Sequence, residues 1–487
     1  MNNRTLSSLH PDVAIPRYDR SDLAQGIVHF GVGGFHRSHE AMYVDQLLNQ
    51  GSAAGWGICG VGSLPSDRRM QQALDEQDCL YTLVLKGTDG DVSARVIGSI
   101  CRYLYAPGDP EPTIAKLTDP RTRIVSLTIT EGGYLVSDST GEFDVNTDVA
   151  ADLAPGAVPA SVFGLVGEAL DRRRAAGAPG LTIVSCDNMP GNGDVARRSF
   201  TGFARLKNAE LARWMDDNVE FPNSMVDRIT PVTTDDDLRE LAERFDIQDA
   251  WPVVAEPFAQ WVLEDRFVDG GRPPLEDAGV QFVADVEPYE LMKLRLLNAS
   301  HQVVSYLGYL VGYRFVHEVA QDSAFRKMLM RYMTGEATPT LPGVPGIDLE
   351  GYRQTLLDRF ANPHVGDSLA RNCVDGSDRI PKFVLPVVRH QLEYGGDISV
   401  SVTAVAAWAR YLEGVDEQGE PIEIVDRRKP VLVQRAAQQR TDPEALLAVG
   451  DVFGDLGDQP RFVAAYRAAL AFLHDRGARA TVDALSG

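Results

Sequence analysis

The run from residue 288 to residue 301 places groups that can move a proton within an otherwise apolar stretch. Its polar side chains include Glu290, Lys293, Asn298 and His301, and leucine or methionine fills many of the positions between them. At ~100° per residue, all four fall within about 140° of one another on one side of an α-helix. A helix that is apolar nearly all round is usually buried, and its polar groups must find partners or act on a ligand.

A lysine in such a place suits the role of a general base, because desolvation and neighbouring cations lower its affinity for a proton. Alcohol oxidation needs this base, since the hydroxyl proton is withdrawn as hydride leaves the carbinol carbon. Asn298 can donate a hydrogen bond to the developing alkoxide, and His301 can orient Lys293 or hold a substrate hydroxyl. A purely structural helix is an equal alternative from spacing alone, with Lys293 paired to Glu290 and the other two side chains bonded to backbone.

A glycine-rich turn between a short apolar run and a helix-like stretch predicts a dinucleotide site. Residues 27–37 read IVHFGVGGFHR, in which the first glycine permits a tight turn and the second lets the backbone approach a pyrophosphate. The third glycine of the usual pattern is replaced by His36, and a structural turn explains the motif about equally well. The candidate cofactor-binding residues here are Gly31, Gly33, Gly34, Phe35, His36 and Arg37.

Asp67, just beyond the second predicted strand, is a candidate for binding the adenosine ribose of the cofactor. A carboxylate there accepts hydrogen bonds from the ribose and repels a 2′-phosphate, which favours NAD over NADP. Asp67 lies 36 residues after Gly31, a longer separation than the usual ~20 residues. Arg68 and Arg69 follow directly and would soften the preference. Equally, Asp67 is a suitable cap for a helix that begins at Arg68.

Asn188 lies in a loop after another predicted strand, in the segment CDNMPGNG. Open α/β sheets bind ligands at the carboxyl ends of their strands, so Asn188 is expected to face the nicotinamide. An Asx turn before Pro190 and Gly191 is the alternative, and it suits Asn192 better than Asn188.

Histidine and cysteine usage predicts no metal site. His36 and His39 form the close histidine pair, but their glycine-flanked setting beside Arg37 resembles no zinc pattern. The five cysteines are scattered and form no C-x-x-C pair, which indicates a reducing compartment. Together with the absence of a signal-like N-terminus, this favours a cytoplasmic protein.

The surrounding elements predict an α/β fold in two domains. Strand-like runs at 26–30, 56–61, 123–129 and 181–185 alternate with helical stretches at 39–49 and 161–175, as in a parallel α/β sheet. Residues 87–99 resemble an antiparallel insertion. From about residue 288 the pattern becomes helical, at 289–308, 404–412, 443–453 and 462–474. We therefore expect a Rossmann-type domain with insertions over 1–285 and a mostly helical substrate and catalytic domain over 286–487.

Charge restricts the class of partner. The chain has 47 Lys and Arg against 69 Asp and Glu, a net charge of −22. Phosphate backbones and anionic lipids need a positive surface, so we expect neither nucleic acid nor membrane as a partner. No segment approaches the ~20 apolar residues of a membrane helix. A small-molecule substrate is the expected partner; the oligomeric state is left open, a monomer included.

Seven segments in order resemble the polyol-specific long-chain dehydrogenase family across nearly the whole chain. They are GIVHFGVGGFHRSHEAMY, IVSLTITEGGY, SCDNMPGNG, FPNSMVDRITP, EPFAQWVLED, KLRLLNASH and DGSDRIPKF. The resemblance implies a Rossmann-type N-terminal domain, a helical C-terminal domain, and NAD-dependent, metal-independent oxidation of a polyol. The implied reaction is the oxidation of D-mannitol to D-fructose, and its reverse.

The same resemblance implies roles for individual residues. The family pattern K-x-x-x-x-N-x-x-H falls on Lys293, Asn298 and His301, which makes Lys293 the base. The second oxyanion asparagine falls on Asn188, and Glu290 matches a glutamate associated with proton exchange to solvent. Arg371 and Arg379 match positions that contact substrate, although relatives often carry lysine where this chain has Arg379.

The members of the family differ in substrate. The stretches GVG at 60–62, VGYRFVHE at 311–318 and VPGID at 344–348 resemble the mannitol-oxidising branch more than the uronate-reducing branch. An NADH-dependent uronate reductase is the alternative, because Arg371 could bind a carboxylate with two hydrogen bonds. Dehydrogenases of arabinitol or sorbitol are further alternatives, and a non-catalytic NAD sensor is disfavoured because the active-site residues are present.

Overall fold

The structure is a computed structural model that describes residues 1–137 and 141–487. The chain divides into two compact units, Met1–Glu287 and Pro288–Gly487. Among the described residues, no helix is both long enough and apolar enough to cross a membrane.

The strands found in the described residues all lie in the first unit, and the central ones form a parallel sheet. The strands are β1 (Ile27–Phe30), β2 (Ile58–Gly62), β3 (Tyr81–Lys86), β4 (Val92–Ile97), β5 (Ile100–Tyr105), β6 (Ile124–Leu127), β7 (Thr182–Ser185), β8 (Ser224–Asp227), β9 (Val253–Ala255), β10 (Gln260–Glu264) and β11 (Gln281–Val283). The five-stranded sheet has the order β5-β2-β1-β6-β7, with every pair parallel and Ile27 opposite both Ile58 and Ile124.

This order is that of a doubly wound sheet, because the chain moves outward in both directions from β1. The first three strands of the sheet run β1, β2, β5, and the chain then returns to the other side of β1 for β6 and β7. Since all five strands are parallel, the residues that follow each of them lie at one carboxyl edge. The predicted Rossmann-type fold of the N-terminal part is confirmed.

Side-chain alternation along β1 builds a core on each face of the sheet. Ile27 belongs to one buried cluster together with Leu47, while Val28 and Phe30 belong to a second cluster with Leu170. Both clusters are covered by helices. The α-helices of this unit are Gly34–Ser38, Glu40–Asn49, Arg68–Glu76, Glu111–Thr118, Thr147–Leu153, Val162–Ala175, Asn192–Lys207, Ala209–Asn218 and Asp235–Phe245.

Two small sheets are inserted into this framework. Strands β3 and β4 form an antiparallel hairpin whose first strand pairs in parallel with β9. The expected insertion at 87–99 is thus present, although its first strand begins earlier, at Tyr81. The other sheet has the order β11-β10-β8, with β10 antiparallel to β8 and parallel to β11.

In the described residues of the second unit, the regular elements are helices. Its α-helices are Glu287–Met292, Ala299–Val311, Val316–Gln321, Ser323–Arg331, Leu349–Phe360, Leu369–Cys373, Gly376–Arg379, Leu385–Tyr394, Ser399–Tyr411, Lys429–Ala436, Gly450–Phe453 and Pro460–Leu485. Helix Ala299–Val311 packs against Ser399–Tyr411 and Pro460–Leu485. The helix predicted over 443–453 was wrong as a single element: a 3₁₀ turn, Ala445–Ala448, precedes the short helix Gly450–Phe453.

Candidate active site

The turn after β1 fits a pyrophosphate in backbone conformation and in space. Gly31 has φ +89°, and an added Cβ would lie 2.1 Å from the carbonyl oxygen of Thr128, so only glycine suits this position. At Gly33, the nearest atom to an added Cβ is the Gly31 oxygen, 3.8 Å away. The backbone at Gly33 is therefore open to a ligand. A Cβ on Gly34 would only touch Thr230 and Val253.

His36, at the position of the missing third glycine, lies beneath the turn. Its ring stacks on His29 with 3.4 Å between centroids, and its Nδ1 lies 3.1 Å from Oε2 of Glu40. Burial lowers the pKa of His36 to about 3. The other ring, His29, places Nε2 3.2 Å from the Gly31 oxygen. The histidines and Glu40 thus support the turn from below through a hydrogen-bonded cluster.

The same cluster has the residue types of a metal site, which the sequence analysis did not identify. His29, His36 and Glu40 bring their ligand atoms within 4.8 Å of one another. The two stacked rings are nearly parallel, with 15° between their planes. The Nδ1 atoms of both rings lie 3.1 Å from Oε2 of Glu40, so hydrogen bonds within the protein hold this cluster together. His39, the other half of the pair considered above, places its Nε2 against the Gln260 oxygen at 2.9 Å.

Arg37 and Phe35 pack within the protein. The Arg37 side chain is buried and donates from Nε to the Gly33 oxygen at 3.3 Å and from Nη1 to the Trp251 oxygen. Its guanidinium also lies over the Tyr81 ring, 5.2 Å from the centroid. Burial lowers the pKa of Arg37. The Phe35 ring stacks on the ring of a neighbouring histidine, with 4.9 Å between centroids. Arg37 therefore links the carbonyl oxygen of Gly33 in the turn to that of Trp251.

Asp67 lies beyond the carboxyl end of β2, as expected, and it directly precedes the helix that begins at Arg68. Its side chain does not bond the amides of that helix; instead Oδ2 accepts from the Leu64 N–H at 2.9 Å. In the described part of the chain, no group donates a hydrogen bond to Oδ1. Arg68 lies over the ring of Tyr105, 5.2 Å from its centroid. The carboxylate is thus held by its own loop with one oxygen available.

The loop after β7 is anchored by residues on either side of Asn188. Asp187 is buried, and its carboxylate accepts the N–H groups of Ile129 and Thr130 at 3.0 and 2.9 Å. Asn192 donates to the oxygen of Asp187 at 3.0 Å and to that of Ser224 at 2.8 Å. Asn188 itself is exposed at the carboxyl edge. The sequence analysis missed Asp187, whose place in the D-N dipeptide was the available signal.

The predicted polar helix of the second unit contains a π-helical segment. Lys293–Asn298 is π-helical and joins helix Glu287–Met292 to Ala299–Val311 without a break. The angles given above assumed an α-helix throughout and were wrong across this segment. In a π turn, i→i+5 hydrogen bonds place residues five apart about one turn from each other. Lys293 and Asn298 are therefore closer in angle around the helix than α-helical spacing predicts.

The polar residues of this helix are buried, as expected. Glu290, Lys293 and His301 are each less than a tenth exposed, and Asn298 is half-buried. The buried Oδ1 of Asn298 and Nε2 of His301 have no hydrogen-bond partner among residues 1–137 and 141–487. Such atoms cost about 1–3 kcal/mol each when left unpaired. Their presence on one helix indicates a site for a polar ligand.

His301 is uncharged near neutral pH. Its ring packs on Phe360 with 4.4 Å between centroids, and Nε2 lies 3.7 Å from Oδ2 of Asp367. Burial lowers the pKa of His301 to about 4, because it outweighs the opposing effect of Asp367 and because Arg371 lies nearby. A neutral imidazole can donate to or accept from a hydroxyl without attracting a counter-ion.

Asp367, absent from the sequence-based candidates, connects several of them. Its Oδ1 accepts from Nε and Nη2 of Arg371 at 2.9 and 2.7 Å. Arg379 lies beside this pair, and its Nη1 donates to the carbonyl oxygens of Arg371 at 3.4 Å and Asn372 at 3.2 Å. The structure thus brings His301, Arg371 and Arg379 together around one buried carboxylate.

Fold and site together are those of a Rossmann-type dehydrogenase, and comparison with known proteins identifies the family. Residues 25–277 match the mannitol dehydrogenase Rossmann domain, and residues 285–474 match the mannitol dehydrogenase C-terminal domain. The chain therefore belongs to the mannitol dehydrogenase family.

Relatives of known name agree over the full length of the chain. Mannitol 2-dehydrogenase of Phaeosphaeria nodorum is 48% identical over 99% of this chain and 85% of its own. The solved ternary complex of Pseudomonas fluorescens mannitol 2-dehydrogenase with NAD and D-mannitol is 47% identical, with a TM-score of 0.92 over 100% of this chain and 99% of that one. A substrate-free D-sorbitol dehydrogenase is 40% identical, with a TM-score of 0.90 over 99% of this chain and 100% of its own.

Proposed function

We propose that this protein oxidises D-mannitol to D-fructose with NAD, reversibly and without a metal ion. The observation that carries the proposal is the buried π-helical segment that begins with Lys293 and ends with Asn298, followed by His301. A buried amine beside an amide and a neutral imidazole suits proton removal from an alcohol. The 47% identity to the protein solved with NAD and D-mannitol supports this choice of substrate and cofactor.

In the proposed reaction, Lys293 acts in its neutral form and takes the proton of the C2 hydroxyl. NAD, when bound, supplies the acceptor for the hydride that leaves C2, so the products are D-fructose, NADH and one proton. Asn298 donates a hydrogen bond to the oxygen as its negative charge develops, and we assign the same role to Asn188. Glu290, three residues before the lysine, passes the proton on to solvent and restores the neutral base.

Substrate hydroxyls are assigned to the polar groups around Asp367. His301 offers a neutral ring whose Nε2 has no hydrogen bond in the described part of the chain. Arg371 and Arg379 supply N–H donors from the neighbouring short helices Leu369–Cys373 and Gly376–Arg379. Neutral hydroxyls suit this set, because each needs one or two hydrogen bonds and no compensating charge.

NAD is assigned to the N-terminal unit, within residues 1–285. The open backbone at Gly33, with the rest of the turn at residues 31–37, accepts the pyrophosphate. Asp67, whose Oδ1 has no donor among the described residues, accepts the ribose hydroxyls and disfavours a 2′-phosphate. The substrate and the base are assigned to residues 286–487.

A second candidate is the oxidation of D-sorbitol, favoured by the 40% identity to a D-sorbitol dehydrogenase over the full chain. The test is a steady-state comparison of mannitol, sorbitol and arabinitol with NAD and NADP, with fructose and fructuronate reduction measured in the reverse direction. We expect mannitol with NAD to have the highest kcat/KM. If kcat/KM is higher for sorbitol than for mannitol, sorbitol becomes the assigned substrate. If kcat/KM is higher for fructuronate than for fructose, the assigned reaction becomes the reduction of a uronate.

A further inference from the structure

Asp367 is a buried carboxylate with defined partners at the centre of the polar groups of the second unit. It is 6% exposed. Two N–H groups of Arg371 point at Oδ1, while Oδ2 accepts from Nδ2 of Asn372 at 3.2 Å and lies 3.7 Å from Nε2 of His301. A carboxylate held on both oxygens keeps a fixed orientation.

The backbone around Asp367 is fixed by a second segment of the chain. The Val316 N–H donates to the oxygen of Asp367 at 2.9 Å, and Ser368 forms a β-bridge with Phe315. Arg371 follows one turn later and folds back onto the carboxylate, yet 45% of its side chain stays exposed. The remaining N–H groups of Arg371 are therefore presented outward in a defined direction.

We propose that Asp367 is a positioning residue that sets substrate specificity: it directs Arg371 toward neutral polyols and ketoses and against sugar acids. This rests on the proposed function. A free guanidinium binds a carboxylate through two parallel hydrogen bonds, the preferred geometry of that pair. Asp367 accepts hydrogen bonds from Nε and Nη2 of Arg371, so a substrate carboxylate cannot bind to this edge of the guanidinium. A substrate carboxylate would also meet the charge of Asp367, and repulsion of this kind is a common source of selectivity.

The surrounding charges make this carboxylate necessary for such a preference. Arg371, Arg359 and Arg379 all lower the pKa of His301, which places three cationic groups around one ring. Without Asp367, that set would attract an anion. With it, the most exposed of the candidate arginines is neutralised and can still donate single hydrogen bonds to hydroxyl groups.

The test is the variant Asp367→Asn, which keeps the shape and one acceptor oxygen but removes the charge. Fructose and fructuronate are compared as substrates with NADH. We expect the ratio of kcat/KM for fructuronate to kcat/KM for fructose to rise at least tenfold, mainly through KM, with the Kd for NADH unchanged. Asp358→Asn is the matched control, because it breaks the surface pair of Arg326 and Asp358 (2.9 Å) in the same unit; its ratio should stay within twofold of the wild type.

Two further variants separate charge from structure. Asp367→Glu keeps the charge and should keep the preference for fructose, whereas Asp367→Ser is a second neutral variant should asparagine leave the chain unfolded. In an Arg371→Ala background, Asp367→Asn should no longer change the ratio, because its effect acts through that arginine. An unchanged ratio in the folded neutral variants, or the same change with Arg371 absent, would overturn the proposal. Wild-type protein that fails to reduce fructose would instead overturn the proposed function.

Discussion

Lys293 and Asn298 are the first and last residues of one π-helical segment. Because π turns place residues five apart about one turn from each other, the proposed base and the proposed oxyanion donor lie on the same side of the helix. A regular α-helix would rotate them apart by about 140°. The π-helical segment thus directs two residues that are five apart in sequence to the same side of the helix. Both must lie on that side if they are to contact a single substrate hydroxyl group.

Replacement of the proposed base tests this arrangement. Lys293→Ala should lower kcat for mannitol oxidation by about 10² to 10⁴-fold, the usual contribution of a positioned proton acceptor. The Kd for NADH, measured by fluorescence titration, should stay near the wild-type value. Lys327→Ala, at an exposed position of the same unit, is the control and should be fully active. A Lys293 variant with more than half the wild-type rate would contradict the assignment.

Two glycines of the turn should respond differently to the same change. Gly31→Ala forces a Cβ against the Thr128 oxygen at a φ of +89°, so it should lower the free energy of unfolding by about 1–3 kcal/mol or more. Gly33→Ala meets no atom nearer than 3.8 Å and should leave stability nearly unchanged. It should nevertheless weaken NADH binding at least tenfold, because the added methyl group occupies space assigned to the pyrophosphate. Denaturant unfolding and NADH titration of both variants provide the measurement, and normal NADH binding by Gly33→Ala would refute the assigned site.

Cofactor preference should depend on Asp67. Asp67→Ala removes both the ribose hydrogen bonds and the repulsion of a 2′-phosphate, while Arg68 and Arg69 remain. We expect the ratio of kcat/KM for NAD to kcat/KM for NADP to fall by about 1–3 kcal/mol in free-energy terms. Asp75→Ala, on the exposed side of the following helix, is the control. If the ratio stays flat in the Asp67 variant, the carboxylate only supports its loop.

Buried histidines should make the fold sensitive to acid. The pKa values of His39 and His301 are lowered to about 4 by burial, so the unfolded chain takes up protons first as the pH falls below about 6.5. Their contribution to stability is therefore complete above pH 6.5 and is lost as the pH falls toward 4. At pH 5, each histidine should lower the free energy of unfolding by about 2 kcal/mol relative to its value above pH 6.5. Urea unfolding of the wild type and of His301→Asn at pH 7.5 and pH 5 measures this, and an equal pH effect in both proteins would show that His301 does not contribute.

Metal removal tests the proposed mechanism independently of any mutation. Prolonged dialysis against EDTA should leave kcat for mannitol oxidation unchanged, since Lys293 rather than an ion takes the proton. Metal analysis of the active protein should find no stoichiometric zinc. Activity that is lost on dialysis and restored by zinc would require a different mechanism, and the cluster of His29, His36 and Glu40 would be the first place to examine.

The sequence alone was sufficient for the fold class and for most of the central sheet. Strands β1, β2, β6 and β7 were predicted because continuous apolar runs are typical of strands buried on both faces. Strand β5 was not predicted, since Arg102 interrupts its apolar run at an exposed position. The single helix expected over 443–453 was wrong because Val449, between its two parts, leaves the helical conformation. Local pattern shows that an element exists, but its ends depend on contacts elsewhere.

For the site, the sequence determined which groups are present and the tertiary structure decided how they are arranged. The types and order of Lys293, Asn298 and His301 could be read directly, because they lie within three turns of one helix. The π segment could not be predicted, since α and π turns require no different residue types. Asp367 could not be predicted either. Its role comes from folding onto His301, which is distant along the chain, and such a contact is set by the packing of several helices rather than by any local pattern of residues.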